Sequence, residues 1–144
     1  MRNSVEERKV FWQMYQSVLD EKGMPFTIIC ERQWAVVNSY SSKWRRNIIS
    51  MDFSLQKHIL RINAYLDNDL SLYAILVSKK EEIEDKLGFA PVWGAGEKKG
   101  NARRIKVELP FVPYDRNDYV KLIEQSIPIV QRFVEAFKPY IKYD

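Results

Sequence analysis

The chain has 144 residues, 46% of them apolar and 13% aromatic, and carries a formal charge of +4. That length suits one compact domain over residues 1–144, burying roughly two-thirds of the surface its unfolded form exposes, and the composition excludes a disordered or low-complexity chain. No apolar run approaches the roughly 20 residues that cross a bilayer, and the charged start MRNSVEERKVFW has no signal-peptide core; a cytoplasmic protein without membrane contact is expected.

Ser4 and Glu7 stand at the S-x-x-E spacing of a capping box. Val5, Val10, Phe11, Trp12, Met14, Tyr15, Val18 and Leu19 follow at helical steps, and Gly23 and Pro25 mark a stop. This predicts a first helix over residues 5–22 with an aromatic core stripe. From Phe26 to Arg46 the pattern is weaker. Phe26, Ile28 and Ile29 are apolar, Trp34 to Val37 fits a short strand or a helical turn, and NSYSSKWRR has loop composition. Cys30, the single cysteine, has no internal disulfide partner and is expected as a buried thiol; with His58 as the single histidine, soft ligands are too few for a structural zinc site. No metal and no cofactor is expected.

The cleanest pattern is NIISMDFSLQKHILRINAYLDND, residues 47–69. Ile49, Met51, Phe53 and Leu55 alternate with Ser50, Asp52, Ser54 and Gln56, and Leu60, Ile62, Ala64 and Leu66 alternate with Arg61, Asn63 and Tyr65. Strand side chains switch faces at every residue, so this is a hairpin with one apolar and one polar face, and His58 is an exposed turn residue. Asp67, Asn68 or Asp69 can cap a helix running through Leu70, Tyr73, Leu76, Val77, Ile83 and Leu87 to Gly88. Its charged stretch Lys79–Lys86 is expected to face solvent.

Pro91, Val92 and Trp93 predict a short strand, GAGEKKGN a turn, and Ile105, Val107 and Leu109, alternating with Arg104, Lys106 and Glu108, a returning strand. Asp115 or Asn117 can cap a last helix whose buried stripe includes Tyr119, Leu122, Ile123, Val130, Phe133, Val134 and Phe137, with Pro128 as an expected kink. The order helix, uncertain strand, hairpin, helix, hairpin, helix predicts an α+β fold: an antiparallel sheet of two hairpins with three main helices.

Catalytic motifs are few. GAGEKKG lies between two predicted strands and does not open a helix, so it is no phosphate loop, and no G-x-S-x-G elbow occurs. A restriction-type nuclease needs an acid on one strand and E-x-K on the next to hold Mg²⁺. Asp52 fits the first position, but ILRINAYL lacks the second and KVEL around Glu108 has the order reversed. What remains is basic. Lys98, Lys99, Arg103, Arg104 and Lys106 face a single acid between residues 97 and 106, a surplus equal to that of the whole chain, and lie beside Trp93. Lys43, Trp44, Arg45 and Arg46 form a second cluster around an aromatic. Lysines and arginines contact phosphates and aromatics stack on bases, so both clusters are candidate nucleic-acid contacts.

The segments RKVFW, ISMDFSLQKHILRINAYL, EEIEDKLGFAPVW and RRIKVEL, with FVEAFKPYI in the last helix, together resemble the prokaryotic family known as domain of unknown function 4268. The most specific part is Ile83, Glu84, Leu87 and Gly88 with Trp93 five residues on. The family has no assigned activity, and such domains often look like C-terminal companions to restriction-nuclease-like modules. The resemblance therefore implies an accessory role linked to restriction or defence. The expectation is a noncatalytic binding module, a monomer or weak homodimer, whose partner is nucleic acid or another protein. The alternatives are an enzyme using Asp52, Arg61 and Glu108 on a polar sheet face, or a protein–protein interaction module.

Overall fold

The computed structural model describes residues 4–31, 33–39, 48–67, 69–94 and 102–141. The chain order is α1 (Ser4–Lys22), β1 (Phe26–Glu31), β2 (Trp34–Ser39), β3 (Ile49–Ser54), β4 (Ile59–Leu66), α2 (Leu70–Ser78), α3 (Lys80–Leu87), β5 (Val92–Trp93), β6 (Arg103–Pro110) and α4 (Arg116–Ile141). The fold is α+β, as the alternating strands and helical stripes require. The strands form one antiparallel sheet in the order β1-β2-β3-β4-β6-β5.

The central hairpin sets the faces. Ile49, Met51 and Phe53 on β3 and Leu60, Ile62, Ala64 and Leu66 on β4 are buried in one core with Phe11, Tyr15 and Leu19 of α1, Leu72 and Leu76 of α2, Ile83 and Leu87 of α3, and Phe133 and Phe137 of α4. All four helices therefore contribute to a layer on one side of the sheet, and Val107 packs partly buried against the same core. Phe53 lies between the rings of Phe11 and Phe111, stacked at 3.9 and 4.7 Å, while Tyr119 meets it edge-on at 5.4 Å.

Several expectations are corrected. The uncertain segment after α1 is a full hairpin, β1 and β2, paired from Phe26–Ser39 to Glu31–Trp34. Cys30 on the edge strand β1 is exposed, not buried. Glu7 does not close a capping box. It is buried in the interface between α1 and α4, where its carboxylate accepts hydrogen bonds from Arg116 (2.8 Å) and the Tyr119 hydroxyl (2.7 Å). The helix expected over residues 70–88 is two helices, broken at Lys79. Ser78 Oγ donates to Ile75 O at 2.6 Å, the carbonyl that a continuing α-helix would offer to Lys79 N–H, and that N–H turns to Leu76 O instead. α4 continues as one helix through Pro128, the residue expected to kink it. Pro128 and Glu124 are both exposed, so the Glu124 carbonyl that loses its partner is open to water.

The caps follow the sequence. Asp69 Oδ1 accepts from Leu72 N–H at the start of α2, and Asp115 accepts from Asn117 and Asp118 N–H at the start of α4. Gly88, at φ 80°, closes α3 by donating to Glu84 O. Glu84 then accepts the indole N–H of Trp93 at 2.9 Å, which ties β5 to α3.

Candidate functional site

The strand residues that alternate with the core make a second face, and no helix covers it among the described residues. Cross-strand register arranges it in rows. Trp34, Asp52, Arg61 and Glu108 lie in one row across β2, β3, β4 and β6. Val36, Ser50, Asn63 and Lys106 form the next, and Tyr65 pairs with Arg104 in a third. Directly opposed residues sit close enough for side chains to bond, so the register places opposite charges in contact.

Asp52 Oδ2 accepts from Arg104 at 3.2 Å and from Arg61 at 3.5 Å, and Arg61 Nε reaches Glu108 at 3.1 Å. Lys106 also bonds Glu108, at 3.0 Å. Partial burial pushes the Glu108 carboxyl up, but the hydrogen bonds and charges of Lys106 and Arg61 outweigh it and hold the group below the ordinary carboxylate range. Asn63, fully buried, donates to Ser50 O and Oγ and accepts from Arg104 at 2.6 Å. The Arg104 guanidinium also lies 4.5 Å from the centre of the Tyr65 ring, a cation–π contact. Arg104 is thus fixed from three sides, by Asp52, Asn63 and Tyr65.

Two clefts meet at Asp52 and Arg104. One, of about 360 Å³, is walled by Trp34 and Tyr65 with Ser50 beneath. The other, of about 410 Å³, extends past Arg61 and Gln33 to Lys57 in the β3–β4 turn and to Arg8 and Ser4 on α1. Among the described residues of the polar face and these clefts, Arg8, Lys57, Arg61, Arg104 and Lys106 outnumber Asp52 and Glu108 by three.

Of the residues singled out from the sequence, Arg104 and Lys106 stand in this network. Arg103 and Trp93 share the strand parity of Ile105 and belong to the helical side, where Trp93 is held by Glu84 and Arg103 bonds Ala102 O. Lys43, Trp44, Arg45, Arg46, Lys98 and Lys99 lie outside the described residues. Asp52, Arg61 and Glu108 converge as the enzyme alternative requires, with the arginine bridging the two acids. Among the described residues no three His, Cys, Asp or Glu side chains group to hold a metal, and no helix is long and apolar enough to span a membrane. Sequence reasoning missed Trp34, Arg8 and Lys57. Only the β2–β3 register shows that Trp34 faces Asp52, and only the packing of α1 brings Arg8 to the hairpin turn.

A one-sided helical layer on an antiparallel sheet, with an ionic network on the other side, defines an α+β chain. The chain belongs to the family described as domain of unknown function DUF4268, whose model matches residues 7–141. A comparison with curated proteins finds no match. Among solved structures the chain is similar to YbjN from E. coli, at 13% identity and a TM-score of 0.44, over 92% of this chain and 95% of that one. A likeness of that degree is too loose to transfer a role.

Proposed function

We propose that this chain is a noncatalytic accessory module that binds single-stranded nucleic acid, without sequence preference, across the polar face of its sheet. The observation that carries this reading is the meeting of an aromatic-walled cleft with a basic one at Arg104. A single strand offers that alternation, with a base for Trp34 and Tyr65 and a phosphate for Arg8, Lys57 and Arg61. A duplex keeps its bases stacked and cannot use the aromatic cleft. Arg104 and Lys106 complete the contact. The sequence supplies further cations at Lys43, Arg45 and Arg46, next to Trp44 in the chain, and at Lys98 and Lys99. Trp93 and Arg103, on the helical side of the sheet, are not part of this surface. The geometry favours binding over proton transfer, because Glu108 is held ionised by Lys106 and Arg61, and Asp52 is shared by two arginines. A cytoplasmic setting fits both the ligand and the lone exposed thiol of Cys30, which stays reduced there.

Fluorescence anisotropy with a labelled mixed-sequence oligonucleotide tests the reading. Single strands should bind at about 50 mM salt with an affinity that falls on a log-log slope of about 0.7 per phosphate neutralised. Trp34→Ala should cost about 1–3 kcal/mol of that affinity and leave the slope unchanged, whereas Lys98→Ala with Lys99→Ala should flatten the slope. Failure to bind at tens of micromolar protein, or equal affinity for duplex, would overturn it.

A further inference from the structure

The basic cleft of about 410 Å³ holds more positive charge than its own acid answers. Among the described residues that line it, Arg8, Lys57, Arg61 and Arg104 stand against Asp52 alone, a surplus of three. Arg61 and Arg104 are held by that carboxylate, at 3.5 and 3.2 Å. Arg8 and Lys57 have no acid partner among the described residues. They come from separate elements, α1 and the β3–β4 turn, so it is the tertiary packing that brings them to one place. Like charges gathered without a counter-ion repel, and an anion between them relieves that repulsion. Ser54 Oγ accepts from Lys57 N–H at 3.0 Å, which leaves its own hydrogen to donate to such an anion.

The cleft also lies where the sheet stops. Ser50 and Asp52 of β3 line the aromatic cleft, and Ser54, two residues past Asp52, is the last residue of the strand. Beyond it the cleft is lined by the β3–β4 turn and by α1. From Ser50 to Ser54 is about 13 Å of strand, so a chain that sets a base against Trp34 and Tyr65 and follows β3 comes next to the turn. A phosphodiester inside a chain carries one negative charge. A terminal phosphomonoester carries about 1.5 to 2 at neutral pH and offers three strong acceptor oxygens, which suits a surplus of three cations better. We propose that this cleft receives the terminal phosphomonoester of the bound strand, an inference that rests on the reading of the polar face as a single-strand site. Arg8 and Lys57 take the phosphate while Arg61 and Arg104 stay with Asp52. The module then prefers a phosphorylated end and remains indifferent to sequence.

Anisotropy with one internally labelled oligonucleotide in three forms, 5′-phosphorylated, 3′-phosphorylated and hydroxyl at both ends, tests the inference and tells the two ends apart. One phosphorylated form should bind about tenfold tighter than the hydroxyl form, and phosphatase treatment should abolish the gain. Arg8→Ala with Lys57→Ala should cost the phosphorylated strand more than the hydroxyl strand and bring the two within about twofold of each other. Should that double variant fail to fold, Lys57→Ala alone, in an exposed turn, should narrow the gap. Equal affinity for all three forms would overturn the inference and leave the single-strand reading standing. So would a preference that survives both variants, or a mononucleotide that competes as well as the phosphorylated strand, since the ligand would then be a free nucleotide. If no form binds, the reading of the polar face fails and this inference falls with it.

Discussion

Replacing Tyr119 with Phe removes one oxygen from the junction of α1 and α4 and leaves the ring in the aromatic core. That hydroxyl donates to the buried Glu7 carboxylate at 2.7 Å and accepts Tyr114 N–H at 2.8 Å. Burial, then the bond to Glu7 and its charge, hold the Tyr119 phenol above its ordinary value of 10. In the variant Glu7 keeps Arg116 but loses its second donor, and Tyr114, held at a left-handed φ of 63°, loses its acceptor. A hydrogen bond to a charged group contributes about 1.5–3 kcal/mol and a neutral one about 0.5–1.5, so the loss should total about 2–4 kcal/mol. At this chain length that lowers Tm by roughly 6–12 °C. Urea denaturation monitored by tryptophan fluorescence measures the loss, and a double-mutant cycle with Glu7→Gln isolates the shared part, expected above about 1 kcal/mol. A loss under about 0.5 kcal/mol, or additive single and double variants, would refute the assignment of Glu7 and Tyr119 as the pair that locks α1 to α4.

Phe53→Ala should cost about 3–5 kcal/mol by urea denaturation, because the ring is sandwiched between Phe11 and Phe111 in a core with no room to collapse. Gly88→Ala should cost about 1 kcal/mol, read as a shift in the urea midpoint. The left-handed φ of 80° sets that loss, as the new Cβ would meet only Arg132, at 3.7 Å. Glu108 has a folded pKa below its ordinary 4.5, so its contribution to stability is present above that value and lost as pH falls through the folded pKa. The stability difference between wild type and Glu108→Gln should therefore shrink as the buffer is taken from near neutral to below about pH 4, and a difference that stays constant across that range would show the network to be unimportant.

The fold was legible wherever burial had a period. Met51, Phe53, Ile62 and Ala64 alternate in sequence and are all buried on one side, because a one-residue slip would have turned Asp52 and Arg61 into the core. The β1–β2 hairpin was less so, since Ile29 and Val36 break the alternation. Ile29 is exposed on an edge strand, and Val36 is buried away from the main core, in the row of Ser50 and Asn63. The break at Lys79 was not legible at all. No glycine or proline marks it; a serine hydroxyl that takes one backbone carbonyl does. Glu7 misled for a related reason, because S-x-x-E describes local spacing and Arg116 and Tyr119, more than a hundred residues away, compete for the same carboxylate.

The polar face was legible as a set of residues and not as a site. Asp52, Arg61, Arg104, Lys106 and Glu108 were recognisable as outward-facing, but their pairing depends on β4 lying between β3 and β6, a neighbour relation that hairpin signals do not encode.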